Sequence, residues 1–572
     1  MCGIFLYKNN KSDTKIDTLG IAYKGIKDLE YRGYDSFGIF SFNTITKENN
    51  LYKRVGKVSD ETFEKEITRI SGESDFDVSL GHTRWATHGA VNLENTHPHK
   101  SFAEKFVLVH NGIFENYLEY KTKFENAGVK FYSETDSEVL VNLIEQEGIE
   151  NIFSKVKGSN AFILINTHTG EVVAARNGSA LYIGRTDDGD ALVSSDVSGL
   201  LAYAKNIYTV KDSEMIELDK IEALNYEKIE RVEEISEKGD FDTFMLKEIF
   251  DQGHTVARAY ESTGALDKDF LKNKQIIFTG CGTAYHVCLA AGYIGAKNGI
   301  DIKAIPANEF NSFEKIISKN TLLFAVSQSG ETADTIIAAK KVIECGGEVY
   351  SILNNQYSTL AQISNRVFAI GSGKEVSVAS TKAFTAQLAT VMALFDLGNK
   401  KDFENFKKEI KSFIENKDLH SQIKNIAEKY KDKKDIFIIG KGLCMPIALE
   451  TSLKIKEITY IHTEGFAAGE LKHGVISLIE PGVLSIVCDA DSQFSDDLES
   501  SATQIKSRGG EVLGIGFLNK NYYDDYIEHK DFGNFSFIIN AIVGQLLAYY
   551  IAISKDLDPD KPRNLAKSVT VR

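Results

Sequence analysis

The sequence predicts an α+β sandwich followed by two tandem α/β doubly wound domains, and three observations carry that expectation. Short β-branched and aromatic runs crowd the first 230 or so residues: IFLY, SFGIFSF, SLGHTRW, KFVLVHNG, NAFILIN and LYIG. Helical stretches such as residues 136–146 interrupt them, as in stacked sheets with helices outside. A charged, poorly periodic stretch, EKIERVEEISEKGDFD, then marks a linker, and beyond it strands and helices alternate as in a parallel sheet. The third observation is a repeat. QIIFTGCGTAYH and DIFIIGKGLCMPIALE each read strand, glycine turn, helix, and the glycines Gly280 and Gly440 lie 160 residues apart. The strands LLFAV and VLSIV each lead to a GGEV turn, and Gly346 and Gly509 lie 163 apart. Two landmarks shifted in register imply a duplicated doubly wound domain.

These elements set the expected boundaries: a sandwich over 1–228, a linker over 229–245, one doubly wound domain over 246–405, a second over 420–555, and a tail over 556–572. A chain of 572 residues is too long for one core, and 43% hydrophobic with 26% charged residues is ordinary globular composition. The net charge of −15 disfavours a broad nucleic-acid or anionic-membrane surface, so any anionic substrate is expected to be held by local donors. The six cysteines form no CxxC and have no histidine at metal spacing. No disulfide framework, metal site or cofactor is expected, and a cytoplasmic location fits. The apolar run at the N-terminus, MCGIFLYKNN, is too short for a signal peptide. Residues 537–553 are long and apolar, but Asn540, Gly544 and Gln545 interrupt them, which favours a buried core helix over a membrane span.

The chemistry starts at Cys2. If Met1 is removed, thiol and free α-amine belong to one residue, and an amine of pKa near ~7.7–8.0 can take the thiol proton. A lone cysteine there is more often a small hydrophobe. Four segments reverse that preference: LEYRGYDS (29–36), GHTRWATHG (81–89), VHNGIFEN (109–116) and SETDSEV (133–139). With them the first 230 residues resemble the N-terminal-nucleophile glutaminase domain shared by glutamine amidotransferases. The resemblance implies that Cys2 attacks the glutamine carboxamide and that Asn111 and Gly112 form the oxyanion hole. It implies that Arg84 clamps the α-carboxylate, that Asp136 holds the α-ammonium, and that Thr87 and His88 complete the glutamine contacts. Taken alone, Arg84 and Asp136 are ordinary surface ion-pairing residues.

In the repeated half, Ser327-Gln328-Ser329-Gly-Glu-Thr332 sits between strand LLFAV and helix ADTIIAAKK. A hydroxyl-rich turn opening a helix offers O–H and N–H donors to a phosphate, although serine and threonine also cap helices routinely. Two further loops are built alike, Cys281-Gly-Thr283 and Val378-Ala-Ser380-Thr-Lys382. The second copy reads CDADSQF where the first reads SQSGET, and its two aspartates would repel phosphate. Only one copy is expected to hold a sugar phosphate. Farther on, Glu450, Lys454 and Glu457 share one helix face at i, i+4 and i+7. Spacing alone reads as a salt-bridged, solvated face.

The tail KPRNLAKSVTVR alters that balance. With it the whole chain is similar to the glucosamine-6-phosphate synthase (glutamine–fructose-6-phosphate transaminase) family, whose α+β glutaminase sandwich precedes two sugar-isomerase (SIS) domains. The resemblance implies transfer of the glutamine amide nitrogen to fructose 6-phosphate, the entry to amino-sugar synthesis. Lys567 would form a Schiff base with the ketose, Glu457 would move a proton between C1 and C2, and Lys454 would sit beside the sugar. His473 would assist ring opening from a neighbouring subunit of a homodimer. Thr283, Ser327, Gln328, Ser329, Thr332, Val378, Ser380 and Ala566 would hold the sugar phosphate, and Trp85, the only tryptophan, would gate an ammonia channel. Four positions depart from the family pattern: Ala284 in the CGTS loop, Val475 after HG, Gly253 after the KEI helix, and Arg572 at the end. Ala284 removes a phosphate-facing hydroxyl, so a different ketose phosphate is the nearest alternative. A non-catalytic sugar-phosphate sensor is the other, and Cys2, Glu457 and Lys567 together argue against it.

Overall fold

The computed structural model of the chain describes residues 2–11, 16–59, 61–71, 75–229, 238–398, 400–517 and 520–570. Met1, Arg572 and residues 230–237 of the expected linker lie outside them. Two compact units form, Met1–Arg231 with Ser568–Arg572, and Val232–Lys567.

In the first unit two antiparallel sheets stack. One runs in the order Glu227–Lys228, Asn206–Thr209, Tyr182–Arg185, Ala191–Ser194, Gly3–Lys8, Val78–Arg84, Ser36–Phe42, Asn49–Val55. The other runs Glu214–Glu217, Val172–Asn177, Asn160–Asn166, Phe106–Gly112, His99–Lys100. Strand side chains alternate faces, so each strand supplies two cores. Ile4, Leu6, Val107, Val109, Ile163 and Ile165 meet between the sheets. Leu108, Phe162 and Leu164 face the other way, onto Val139, Leu140 and Leu143 of helix Asp136–Glu147. The expected helix over 136–146 is therefore present, one residue longer at its end. On the outer face of the larger sheet Phe5 lies under Gly25 of helix Thr18–Asp28, where a Cβ would come within 2.3 Å of its ring.

The second unit holds two five-stranded parallel sheets of the same topology. The first runs Ile302–Pro306, Gln275–Gly280, Thr321–Ser327, Glu348–Leu353, Arg366–Ala369, and the second His462–Ala467, Asp435–Gly440, Leu484–Asp489, Glu511–Gly516, Asp525–Glu528. The order is 2-1-3-4-5 in each, so strand order reverses between the first and third strands, and ligands bind beyond the carboxyl ends there. In the first copy the segments leaving those two ends are Cys281-Gly-Thr283 and Ser327–Thr332.

Residues 537–553 fall within helix Ser536–Ser554, the one helix among the described residues long and apolar enough to cross a membrane. Its apolar window is 89% buried inside the fold, in one continuous core with residues of both copies such as Val287, Leu388 and Ile455. It crosses helix Cys444–Thr459 at Gly544, where a Cβ would lie 2.4 Å from Thr451 Oγ1 and 3.0 Å from its Cγ2. Alanine there gains up to about 1 kcal/mol of helix propensity. Overpacking against a stiff β-branched neighbour costs about 1–3 kcal/mol, and the second effect wins. Gly544→Ala is expected to lower the unfolding midpoint of the second unit; a raised midpoint would show that the two helices can separate at no cost.

Candidate active site

In the first unit the ends of strands gather the predicted residues. Cys2 immediately precedes strand Gly3–Lys8, and Arg84 closes the neighbouring strand Val78–Arg84. Asn111 and Gly112 end a strand of the other sheet, and Asp136 opens the helix behind it. The sheets meet at this end, where Asn111 Nδ2 donates to the Cys2 carbonyl at 3.0 Å. Arg32 Nε donates to the same oxygen at 3.2 Å, and its guanidinium pairs with Asp196. The Cys2 sulfur accepts the Trp85 N–H at 3.3 Å. Burial pushes the thiol pKa up, with that N–H and the charges of Arg84 and Arg32 pulling the other way.

Gly112 adopts φ +128°, and a Cβ would fall 1.9 Å from the Ser159 carbonyl, so only glycine fits. Asn111 Oδ1 is buried with no partner. Asp136 accepts the Phe114 N–H at 2.8 Å. Arg84 is buried, not the surface ion pair its type suggests. Its guanidinium donates to the carbonyls of Ala90 at 3.1 Å and Gly89 at 3.3 Å, and to that of His88. It thus holds the loop that carries exposed Thr87 and half-buried His88. Trp85 is only half-buried, edge-on to Tyr34 with ring centres 5.5 Å apart, so it is not a core residue.

In the second unit the helices opened by the three hydroxyl loops start after carboxyl ends of parallel strands: Thr283–Lys297, Ala333–Glu344 and Lys382–Leu394. The first two have no side-chain cap, and at the third the Glu375 carboxylate accepts the Thr381 and Ala383 amides, so the loop hydroxyls cap none of them. Ser327 Oγ instead accepts the Gly330 N–H at 3.0 Å and lies 3.2 Å from Thr332 Oγ1. Ser329 Oγ accepts from Glu331 N at 3.1 Å, and the Gln328 carbonyl accepts from Asn354 N at 3.1 Å. The acid within this loop, Glu331, turns inward to bond the N–H and hydroxyl of Thr359, so its charge is already engaged. In the second copy Asp489 is buried and Asp491 pairs with Lys297 at 3.0 Å, so acids occupy the matching crevice.

Glu450, Lys454 and Glu457 do not form a solvated face: the side chains of Glu450 and Lys454 are 2% and 1% exposed. Lys454 lies 3.3 Å from Glu450 and 2.6 Å from Glu457, and donates to Thr283 Oγ1 at 3.1 Å. Thr283 in turn donates to Glu450 at 3.0 Å. Burial alone would lower the lysine pKa, but the two carboxylates outweigh it and the shift is upward. His286, not anticipated from the sequence, bonds the other Glu450 oxygen through Nδ1 at 2.7 Å. His473 is exposed, and among the described residues it makes no hydrogen bond to Glu450, Lys454, Glu457 or Lys567.

Lys567 is buried against a second unanticipated acid. Its ammonium pairs with Glu375 and donates to the Ser377 carbonyl at 2.7 Å. Glu375 also accepts the Ser380 hydroxyl at 3.0 Å and the amides of Thr381 and Ala383 at 2.9 and 3.1 Å. Burial pushes its pKa up, but Lys567 and these donors hold it below the usual range. The tail reaches this place by lacing. Asp560 accepts the Phe244 and Met245 amides at 2.8 and 2.7 Å, and its carbonyl takes the Val378 N–H at 3.0 Å. Farther along, the Arg563 N–H donates to Tyr460 Oη at 2.9 Å and its guanidinium stacks on that ring, while Ala566 is half-buried.

Comparison with known proteins finds a family for each unit. Residues 82–202 match the glutamine amidotransferase domain family, and residues 269–397 and 429–522 match the SIS domain family. The chain thus joins a glutamine amidotransferase to a pair of sugar-isomerase domains. A glutamine–fructose-6-phosphate aminotransferase (isomerizing) of Clostridium tetani is 36% identical over 619 aligned residues, covering all of both chains. That of Aquifex aeolicus is 34% identical over 612, again covering both completely. A solved C-terminal domain of glucosamine-fructose-6-phosphate aminotransferase from Francisella tularensis is 28% identical, with TM-score 0.52, over 57% of this chain and all of that one. The chain belongs to the glutamine–fructose-6-phosphate aminotransferase (isomerizing) family and is an enzyme.

The Asp560 cap generates a prediction. Losing an N-cap acceptor costs about 0.5–2 kcal/mol. Asp560→Ala is therefore expected to speed tryptic cleavage after Arg563 by about twofold to thirtyfold, since each 1.4 kcal/mol of opening is tenfold. An unchanged rate would mean that Tyr460 alone secures the tail.

Proposed function

We propose that this enzyme transfers the amide nitrogen of glutamine to fructose 6-phosphate and isomerises the product to glucosamine 6-phosphate. The observation that carries the reading is the buried tail lysine, Lys567, held on the loop between two hydroxyl-rich helix starts. In the glutaminase half, Cys2 with Met1 removed attacks the carboxamide, its own α-amine taking the thiol proton. Asn111 Nδ2 and the Gly112 amide receive the oxyanion. Asp136 takes the α-ammonium of glutamine. Arg84 turns from the 88–90 carbonyls toward the α-carboxylate, and Thr87 and His88 close over the substrate. Ammonia leaves past Trp85, whose backbone already touches the nucleophile.

In the isomerase half, Thr283, Ser327, Gln328, Ser329, Thr332, Val378, Ser380 and Ala566 hold the sugar phosphate. His473 from a second subunit opens the ring, which makes the enzyme a homodimer. Lys567 passes its proton to Glu375, adds to C2 and expels water to form the imine. Ammonia displaces the lysine, and Glu457 takes a proton from C1 and returns it at C2, turning the ketimine into a 2-amino aldose. Lys454 stays charged beside the sugar. The enzyme is cytoplasmic.

Nucleophile and imine lysine lie in different units, so the reactions are separable. Cys2→Ala is expected to abolish glutamine hydrolysis and glutamine-dependent synthesis while ketose–aldose isomerisation of fructose 6-phosphate continues. Retained glutamine-dependent synthesis would remove Cys2 from its role.

Ala284 favours one alternative, a differently shaped ketose phosphate. It stands half-buried in the first turn of helix Thr283–Lys297 and offers no hydroxyl. A charged hydrogen bond is worth roughly 1.5–3 kcal/mol, about tenfold to hundredfold in binding. Ala284→Ser is expected to lower KM for fructose 6-phosphate within that range and leave glutamine hydrolysis unchanged. A raised KM would transfer the assignment to another ketose phosphate, identified by the amino sugar formed from a panel.

A further inference from the structure

Helix Phe244–Glu261 carries a carboxyl group that the reaction above does not use. Glu248 has no exposed surface. One oxygen, Oε1, accepts the backbone N–H of Val376 and, at 3.3 Å, that of Ser377. The other, Oε2, is buried with no hydrogen-bond partner. Ser377 is the residue whose carbonyl receives the Lys567 ammonium, and Glu375 beside it supplies the carboxylate. Glu248 therefore grips, from behind, the segment on which the lysine rests.

The orphaned oxygen identifies the protonation state. A buried anionic oxygen left unpaired costs several kcal/mol, whereas a neutral hydroxyl without a partner costs about 1–3. The surrounding charges agree. Glu375 on the loop repels an anion here, while Lys567 of the tail and Lys382 at the start of the next helix attract one. Lys382 is itself paired with Asp251 at 2.9 Å, and Asp251 with Lys247 at 2.8 Å. Burial and Glu375 prevail, and the Glu248 pKa is pushed up, to about 8.

We infer that Glu248 is a positioning residue for Lys567, and that it works as a neutral acid. It fixes the Val376 and Ser377 amides so that Glu375 and the Ser377 carbonyl meet the lysine. The inference rests on Lys567 being the imine-forming residue. With Glu248 neutral, the ammonium proton moves to Glu375, leaving an uncharged amine and an uncharged acid. The amine adds to C2 of the ketose, water departs, and the C=N bond forms with protons conserved.

The test uses the full-length enzyme and fructose 6-phosphate. Glutamine-dependent amino-sugar formation, which passes through the imine, is followed at roughly pH 7, below the raised carboxyl pKa, in wild type, Glu248→Gln and Glu248→Ala. Glutamine, being neutral and isosteric, retains the acceptor for the Val376 and Ser377 amides, and kcat is expected within about threefold of wild type. Glu248→Ala loses the grip, and kcat is expected to fall at least about tenfold with KM little changed, the size expected when a reacting group is misplaced. Two results would overturn the inference: a Glu248→Gln variant as impaired as Glu248→Ala, or a Glu248→Ala variant as active as wild type. Glutamine hydrolysis by the same preparations reports that the variants are folded in the other unit. Borohydride trapping separates the two assumptions. If wild type gives no sugar adduct at Lys567, the imine assignment itself fails, and the inference with it.

Discussion

The Asp560 carboxylate, seated on the first two amides of helix Phe244–Glu261, is the interaction from which the second site follows. A helix start exposes N–H groups that need acceptors, and here the acceptor comes from 315 and 316 residues away. That long-range cap brings the tail alongside the loop: the Asp560 carbonyl takes the Val378 amide, and Ser377 Oγ reaches the Pro559 carbonyl at 3.4 Å. Lys567, seven residues on, then falls within reach of Glu375 and Ser377. Of the helices started by the hydroxyl loops, Lys382–Leu394 has its first amides met by Glu375, while Thr283–Lys297 and Ala333–Glu344 receive no side-chain cap. Capping is used where the tail must be fixed and withheld where an anion can take its place.

Duplication gave two crevices of the same topology that differ in charge. Both sheets have the 2-1-3-4-5 order, so both possess a switch point. In the first copy the loop's one acid, Glu331, faces Thr359 and leaves the turn to hydroxyls. In the second copy Asp489 bonds Ser495, and Asp491 takes Lys297 from the first copy. The second switch point thus serves to join the copies, while helix Cys444–Thr459 sends Lys454 to Thr283 of the first.

What could be read from the sequence was local. The helix at residue 136, the repeat and its glycine turns, and the burial of residues 537–553 all follow from periodicity and turn chemistry within short windows. The face of Glu450, Lys454 and Glu457 was misleading because its burial is imposed from afar: Thr283 and His286 meet Glu450 from 167 and 164 residues away. Glu375, Glu248 and Asp560 left no pattern at all. Each is a lone acid whose partner is long-range, 192 residues for Glu375 and Lys567, and a single carboxylate in a polar stretch reads as surface. The motifs around Cys2 were legible by resemblance, but the engagement of Arg84 with the 88–90 carbonyls was not.

Lys454 and Lys567 are both buried in the second unit, and their surroundings suit them to different work. Lys454 is flanked by two carboxylates, and removing its proton would leave two buried anions facing each other across a neutral amine. In a medium of low dielectric that is costly, so Lys454 stays an ammonium and acts as a fixed charge. Lys567 has one carboxylate and one carbonyl. Moving its proton to Glu375 leaves no net charge behind and no anion unpaired. Of the two amines it is the one whose neutral form the interior tolerates, which is the state an attack on a ketone demands.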